Sequence, residues 1–211
     1  MFFFKDDMPQ TETARANEIL DAFTHLAGKY TIDKTTMRDI ARHMGVSVGI
    51  IYQEFDGKED LIRSLLLRMM RRQFSTLDED VARRQSPEEK LYALTVGFNN
   101  SRLATFEENP WLTEFLLRGN LTLRYLRNNF EQLHQTARAE HLKRITAVLK
   151  DGRSQGVFSV HDTRATANAL MLAFSCFFAF EPSLPDNHKE LHRAAEALFR
   201  LLTRGLRPDP A

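Results

Sequence analysis

Residues 44–61 read MGVSVGIIYQEFDGKEDL, three glycines and a β-branched run set between flanks of helical period. Immediately upstream, Thr36 stands three residues before Asp39, the spacing of a capping box. Met37, Ile40, Ala41 and Met44 follow at i, i+3, i+4 and i+7, the apolar stripe of a short amphipathic helix. Gly45 is placed to end that helix in a left-handed conformation, and Ser47 to cap the next. Two short helices separated by about three residues have helix-turn-helix spacing.

On the second helix, Ile51 and Phe55 share a side that can anchor to a core, with Val48 at its margin, while Gly49 and Gln53 point away. A glycine within a helix costs about 1 kcal/mol against alanine, so Gly49 suggests close approach of something to the backbone. DNA fits that description. Gln53 has the paired donor and acceptor that match adenine, Ile50 suits a thymine methyl, and Tyr52 and Lys58 suit phosphate oxygens. The same geometry also occurs as plain core packing, with Tyr52 half-buried and Lys58 a solvated turn lysine. Spacing alone leaves both readings open.

Helical period continues along nearly the whole chain, and no alternating strand pattern is evident. A first helix is predicted from near Glu12 to Ala27, buried through Ala16, Ile19, Leu20, Phe23, Leu26 and Ala27. A long one follows Lys58, striped by Leu61, Ile62, Leu65, Leu66, Met69, Phe74 and Leu77. Ser86-Pro87 and Asn109-Pro110 mark further starts. Another long helix is predicted over 127–155, closing at Gly156; Asp162 caps one reaching Phe180, and the last spans about 187–204. The expectation is an all-α fold of about nine helices. It divides into an N-terminal arm (1–11), a three-helix module containing the helix-turn-helix (12–58) and a helical C-terminal domain (59–211).

The bulk composition narrows the class. The 211 residues are 43% hydrophobic and 27% charged, enough for a packed core. A formal charge of +1 gives no global signature of nucleic-acid binding, so any such contact is local. The single Cys176 excludes an intrachain disulfide and a four-cysteine zinc site, and fits a reduced cytoplasmic setting. The longest apolar run, Ala169 to Phe180, is 12 residues broken by Ser175, short of the about 20 that a bilayer span needs. The opening MFFFKDDMPQ lacks a basic leader and does not read as a signal peptide. No membrane partner and no cofactor are expected.

The stretch Thr36 to Leu61 resembles the N-terminal signature of the tetracycline-repressor (TetR) family of transcriptional regulators. The matching elements are the Thr36 cap, Ile40-Ala41, Gly45-Val46-Ser47, Gly49, Tyr52, Phe55, Lys58-Glu59 and Leu61. The resemblance implies DNA contacts from Thr36, Ser47 and Val48 beside Gly49, Ile50, Tyr52, Gln53 and Lys58. Two departures stand out. Thr31 and Ile32 occupy the place where the family usually has glycine and an aromatic, and Ile50 and Glu54 replace a small hydroxyl and a histidine. Glu54 is unfavourable near phosphates unless it accepts a hydrogen bond or faces solvent. Residues 34–58 carry four basic against three acidic side chains, a net +1, so specific affinity calls for a dimer on a near-palindromic operator.

For the remainder, the resemblance implies a dimer built by the last two helices. Here Leu191, Ala194, Ala195, Leu198 and Leu202 form an apolar stripe, and Ala169, Ala173 and Phe177 offer close approach and bulk. It implies as well a pocket for a small, mainly apolar effector. The candidate lining is Phe98, Phe106, Trp111, Phe115, Tyr125, Phe174 and Phe178, with Asn99, Arg102 and His134 as polar contacts. Effector binding beside the long helix would shift the recognition helices and release operator DNA; repression is the family's common mode.

Two rival classes remain. For an enzyme, there is no phosphate-binding glycine loop, no Gly-x-Ser-x-Gly and no His-Glu-x-x-His. The pairs His188/His192 and His134/His141 share helix faces but lack a third metal ligand, and read as surface or interface histidines. The other rival is a helical ligand- or protein-binding protein that has lost DNA readout.

Overall fold

The structure, a computed structural model, describes residues 13–112, 123–175 and 188–208. Among them the regular elements are helical: α1 (Ala14–Tyr30), α2 (Met37–Met44), α3 (Val48–Glu54), α4 (Lys58–Arg83), α5 (Pro87–Tyr92), a π-helical turn (Ala93–Gly97), α6 (Phe98–Glu108), α7 (Leu123–Ser154), α8 (Thr163–Ser175) and α9 (His188–Arg204). A further helix begins at residue 110. The all-α expectation holds. The arm at 1–11, together with Phe115, Cys176, Phe177, Phe178 and the side chain of Tyr125, lies outside the described residues.

The chain forms two compact units, one from the described residues within Met1–Met69 and Asn109–Phe130, the other from those within Met70–Glu108 and Glu131–Ala211. In the first, α1 to α3 pack on one another. Ile19, Leu20, Phe23, Ile40, Ile51, Phe55, Leu61, Ile62 and Leu65 are buried, which turns the apolar faces of all four helices inward. Arg68 clamps α4 to α1, its Nη1 donating to Asp21 Oδ1 at 2.8 Å and to the Asn17 carbonyl at 3.2 Å. Trp111 is buried in this unit, with its Cδ1 near Gly28 of α1.

The signals at Thr36, Gly45 and Ser86 act as their sequences predict. Thr36 Oγ accepts from the Asp39 N–H while Asp39 Oδ2 accepts from the Thr36 N–H, a reciprocal capping box. Ser86 and Glu89 repeat it at the start of α5, where Pro87 sits in the first turn. Gly45, at φ 67°, closes α2: the Val46 N–H reaches the Ala41 carbonyl at 3.0 Å and the Gly45 N–H that of Arg42 at 3.3 Å. That pair of bonds is a Schellman motif. Ser47 does sit at the N-cap of α3, but its side chain makes no capping hydrogen bond.

In the second unit the buried residues include Ile145, Val148 and Leu149 of α7, Phe74 and Leu77 of α4, Leu91 and Leu94 of the α5–α6 segment, and Leu170 and Phe174 of α8. The π turn contacts α8 and α9. Arg144 Nε and Nη2 hold Asp78 in a two-point bridge at 2.7 and 2.8 Å, and its Nη1 donates to Glu140 at 3.1 Å. Asp162 Oδ1 caps α8 through the Arg164 and Ala165 N–H groups, both at 2.9 Å. On α9, Leu191, Ala195 and Phe199 are buried at i, i+4 and i+8, whereas Leu201 is 65% exposed.

Candidate functional site

The turn from Gly45 to Ser47 aims α3 so that Ile51 and Phe55 are buried beneath it while Gly49, Tyr52 and Gln53 are exposed. Val48 and Ile50 lie half-buried at the margins. The helix thus presents one aromatic hydroxyl, one amide and a bare patch of backbone outward. Tyr52 is 54% exposed, so it is not the core residue that plain packing would make of it.

Polar contacts fix the surrounding side chains. The Asp39 carboxylate takes the Thr36 hydroxyl at 2.6 Å, and these bonds hold its pKa below the usual carboxylate value. Arg42, largely exposed, reaches Asp39 at 3.3 Å. Lys58 is less free than a solvated turn lysine: its Nζ donates to the Asp33 carbonyl at 2.8 Å, and burial lowers its pKa. An ammonium has three donors, so two remain for a phosphate. Glu54 is explained by Thr13, whose hydroxyl donates to Glu54 Oε2 at 2.8 Å and accepts the Ala16 N–H at 2.9 Å. One hydroxyl therefore caps α1 and holds the acidic side chain. Sequence reading missed Thr13, although a threonine before a helical run is a capping signal.

The candidate effector residues separate on inspection. Phe98, Asn99, Arg102 and Phe174 belong to the second unit, with Asn99 Nδ2 donating to the Phe174 carbonyl at 3.3 Å. Phe106 is half-buried on α6. Arg102 has its guanidinium 5.9 Å from the Phe98 ring, and burial pushes its pKa down to about 10. Trp111 belongs to the first unit. His134 is exposed on α7, while His141, two turns on, is buried. The His141 ring centroid is 4.1 Å from that of Phe98, and its Nδ1, like Gln73 Nε2, has no hydrogen-bond partner among the described residues. Leaving such a buried atom unsatisfied costs about 1–3 kcal/mol. The π turn explains part of this placement. The Phe98 N–H bonds to Ala93 five residues back and not to Leu94, whose backbone favours the charged His141 ring, an effect that burial outweighs. No residue pattern in ALTVG announces a π turn.

Of the interface candidates, Leu191 and Ala195 are buried by their own chain, Leu198, Leu202 and Ala173 are half-buried, and Ala169 and Ala194 are exposed. Leu172 and Leu201, at 58% and 65%, extend the exposed apolar set on α8 and α9.

Comparison with known proteins agrees with this geometry. Residues 19–65 match the model of the bacterial regulatory proteins of the tetR family. The HTH-type transcriptional regulator BetI of Brucella anthropi is 29% identical over 126 residues, 58% of this chain and 65% of that protein, so the match spans just under two thirds of that relative. A TetR/AcrR-family transcriptional regulator from Thermobifida fusca YX-ER1 superposes with a TM-score of 0.68 at 21% identity, over 92% of this chain and 99% of the other. FadR from Bacillus subtilis, solved in complex with stearoyl-CoA, gives 0.60 at 21% identity, over 90% and 99%. The family match covers α1 to the first turns of α4, the segment that carries Thr36, Gly45 and the outward face of α3. Over residues 19–65, then, the chain is similar to the bacterial regulatory proteins of the tetR family.

Proposed function

We propose that the chain is a ligand-responsive transcriptional regulator that binds a near-palindromic operator as a homodimer and is released from it by a small, mainly apolar effector. Residues 12–58 serve as the DNA-binding module and 59–211 as the effector and dimerisation domain. The observation that carries this reading is the division of α3: Ile51 buried, Gly49, Tyr52 and Gln53 exposed, at the end of a helix-turn-helix. Gln53 reads a base edge, Ile50 meets a thymine methyl, and Tyr52, Lys58, Thr36 and the Ser47–Val48 backbone meet phosphates. With Glu54 engaged by Thr13, its charge is held away from readout. A relative's complex with stearoyl-CoA supports an apolar effector class. The helix α4 supplies residues to both units, and a shift along it would alter the spacing of two recognition helices, whose half-sites lie about 34–36 Å apart. By linkage, operator and effector weaken each other's binding by the same factor.

Selection from random duplex DNA on the purified protein tests this. An enriched inverted repeat is expected, lost when Gln53 and Tyr52 are replaced by alanine. No enrichment by protein unfolded and refolded free of bound ligand would favour the rival, a helical binding protein without DNA readout.

A further inference from the structure

Glu54 closes α3 and follows Ile50 by one helical turn, so the two half-buried side chains share an edge of that helix. On a surface that approaches DNA, a carboxylate free on that edge repels backbone phosphates, and residues 34–58 have a net excess of only one positive charge to set against it. The carboxylate is not free. Its Oε2 is turned to the start of α1, where it accepts the Thr13 hydroxyl at 2.8 Å.

Thr13 is held so that this bond has a fixed direction. Its oxygen accepts the Ala16 N–H at 2.9 Å as the cap of α1, and its carbonyl takes the Asn17 N–H at 3.0 Å. A hydroxyl has one proton, and with the oxygen engaged by the cap that proton is left for Glu54. Helix α1 is pinned in turn: Asn17 and Asp21, one and two turns after Thr13, are both held by Arg68 of α4. The donor is therefore in place before Glu54 meets it, and little further ordering is needed to make the bond. Thr13 lies outside the segment 19–65 that matches the tetR model. We propose that Thr13 is a positioning residue of the DNA-binding surface: acting through Glu54, it holds the carboxylate against α1 and keeps its charge off the DNA backbone, whatever the base sequence. This rests on the DNA-binding reading above and extends the working surface to the start of α1.

Because the effect falls on phosphates, the probe is a fluorescein-labelled duplex of random sequence, titrated by anisotropy over a range of salt concentrations, with folding of each variant checked by circular dichroism. Thr13→Ser keeps cap and donor and is expected to bind as the wild type does. Thr13→Val removes the donor and is expected to bind about threefold more weakly, a deficit that shrinks as salt rises. Glu54→Gln accepts from Thr13 and carries no charge, so in its background Thr13→Val is expected to cost nothing. Loss of the cap alone would weaken binding equally with and without Glu54→Gln. That result, a deficit insensitive to salt, or no deficit at all would each overturn the proposal. If Thr13→Val does not fold, Thr13→Asp keeps a cap but lacks the donor; Glu54→Gln must then improve binding more in that background than in the wild type, and an equal gain rejects the role. A wild type that fails to bind the duplex even at low salt overturns the DNA-binding reading along with the proposal, whereas wild-type binding untouched by Thr13→Val rejects the role of Thr13 alone.

Discussion

Thr31 holds φ at 73° and ψ at 158°, a region that is nearly glycine's alone and that costs a β-branched residue on the order of 1–3 kcal/mol. Its N–H donates to the Ala27 carbonyl at 2.9 Å and its own carbonyl accepts the Thr35 hydroxyl at 2.8 Å, bonds that glycine would keep. Thr31→Gly is therefore expected to stabilise the protein by about 1 kcal/mol, after allowance for glycine's greater unfolded entropy. Urea unfolding gives the answer, and a lower midpoint would mean that the Thr31 side chain contributes more than the strain removes. His141 makes the second prediction at this scale. Its folded pKa lies below the ordinary 6.5, so above that pH both states are neutral and nothing is lost. As pH falls from 6.5 towards about 4, the unfolded chain takes up a proton that the folded one refuses, at a cost of about 3 kcal/mol. Thermal scans through this window should show a decline in the wild type that is shallower in His141→Phe.

Two helical glycines should respond in opposite ways. A Cβ at Gly49 would meet only Ser47 Oγ at 3.7 Å, an ordinary contact, so Gly49→Ala is expected to raise stability by up to about 1 kcal/mol while weakening operator binding. At Gly152, near the end of α7, a Cβ would lie 2.2 Å from Phe158 Cδ2 and 3.0 Å from Pro87 Cβ. Gly152→Ala is expected to destabilise by about 1–3 kcal/mol, through overpacking alone. Paired denaturation curves check both, and a stable Gly152→Ala would show that the Phe158 turn yields cheaply. The two sites also mark what the sequence makes legible. The α2–α3 turn is encoded by neighbours, Thr36 with Asp39 and Gly45 with Ala41, so its form follows from a few adjacent residues. The face of α9 is not, because the apolar residues between Leu191 and Leu202 satisfy more than one stripe. Only packing shows that Leu191, Ala195 and Phe199 turn inward and Leu201 outward. The effector candidates were chosen by type, and type does not tell the exposed His134 from the buried His141.

At the scale of the whole molecule, the exposed leucines matter most. Leu172 and Leu201 both belong to the second unit and place apolar area on α8 and α9 in water. Covering such area with a second copy also doubles the basic side chains offered to DNA, of which residues 34–58 carry a net excess of only one. Leu201→Glu is expected to leave the unfolding midpoint of the isolated chain nearly unchanged and to shift sedimentation from dimer to monomer, with about tenfold or greater loss of operator affinity. A variant that stays dimeric would place the interface elsewhere.

The π turn at Ala93–Gly97 adds a consequence for how this protein changes over generations. A deletion in an ordinary helix swings everything beyond it by about 100°. A π turn already holds a surplus residue, so losing one codon there restores a plain helix with both flanks in phase. It would also return the Leu94 carbonyl to its usual helical donor. A single in-frame codon, gained or lost, is thus enough to install or erase the turn, with no substitution on either side of it.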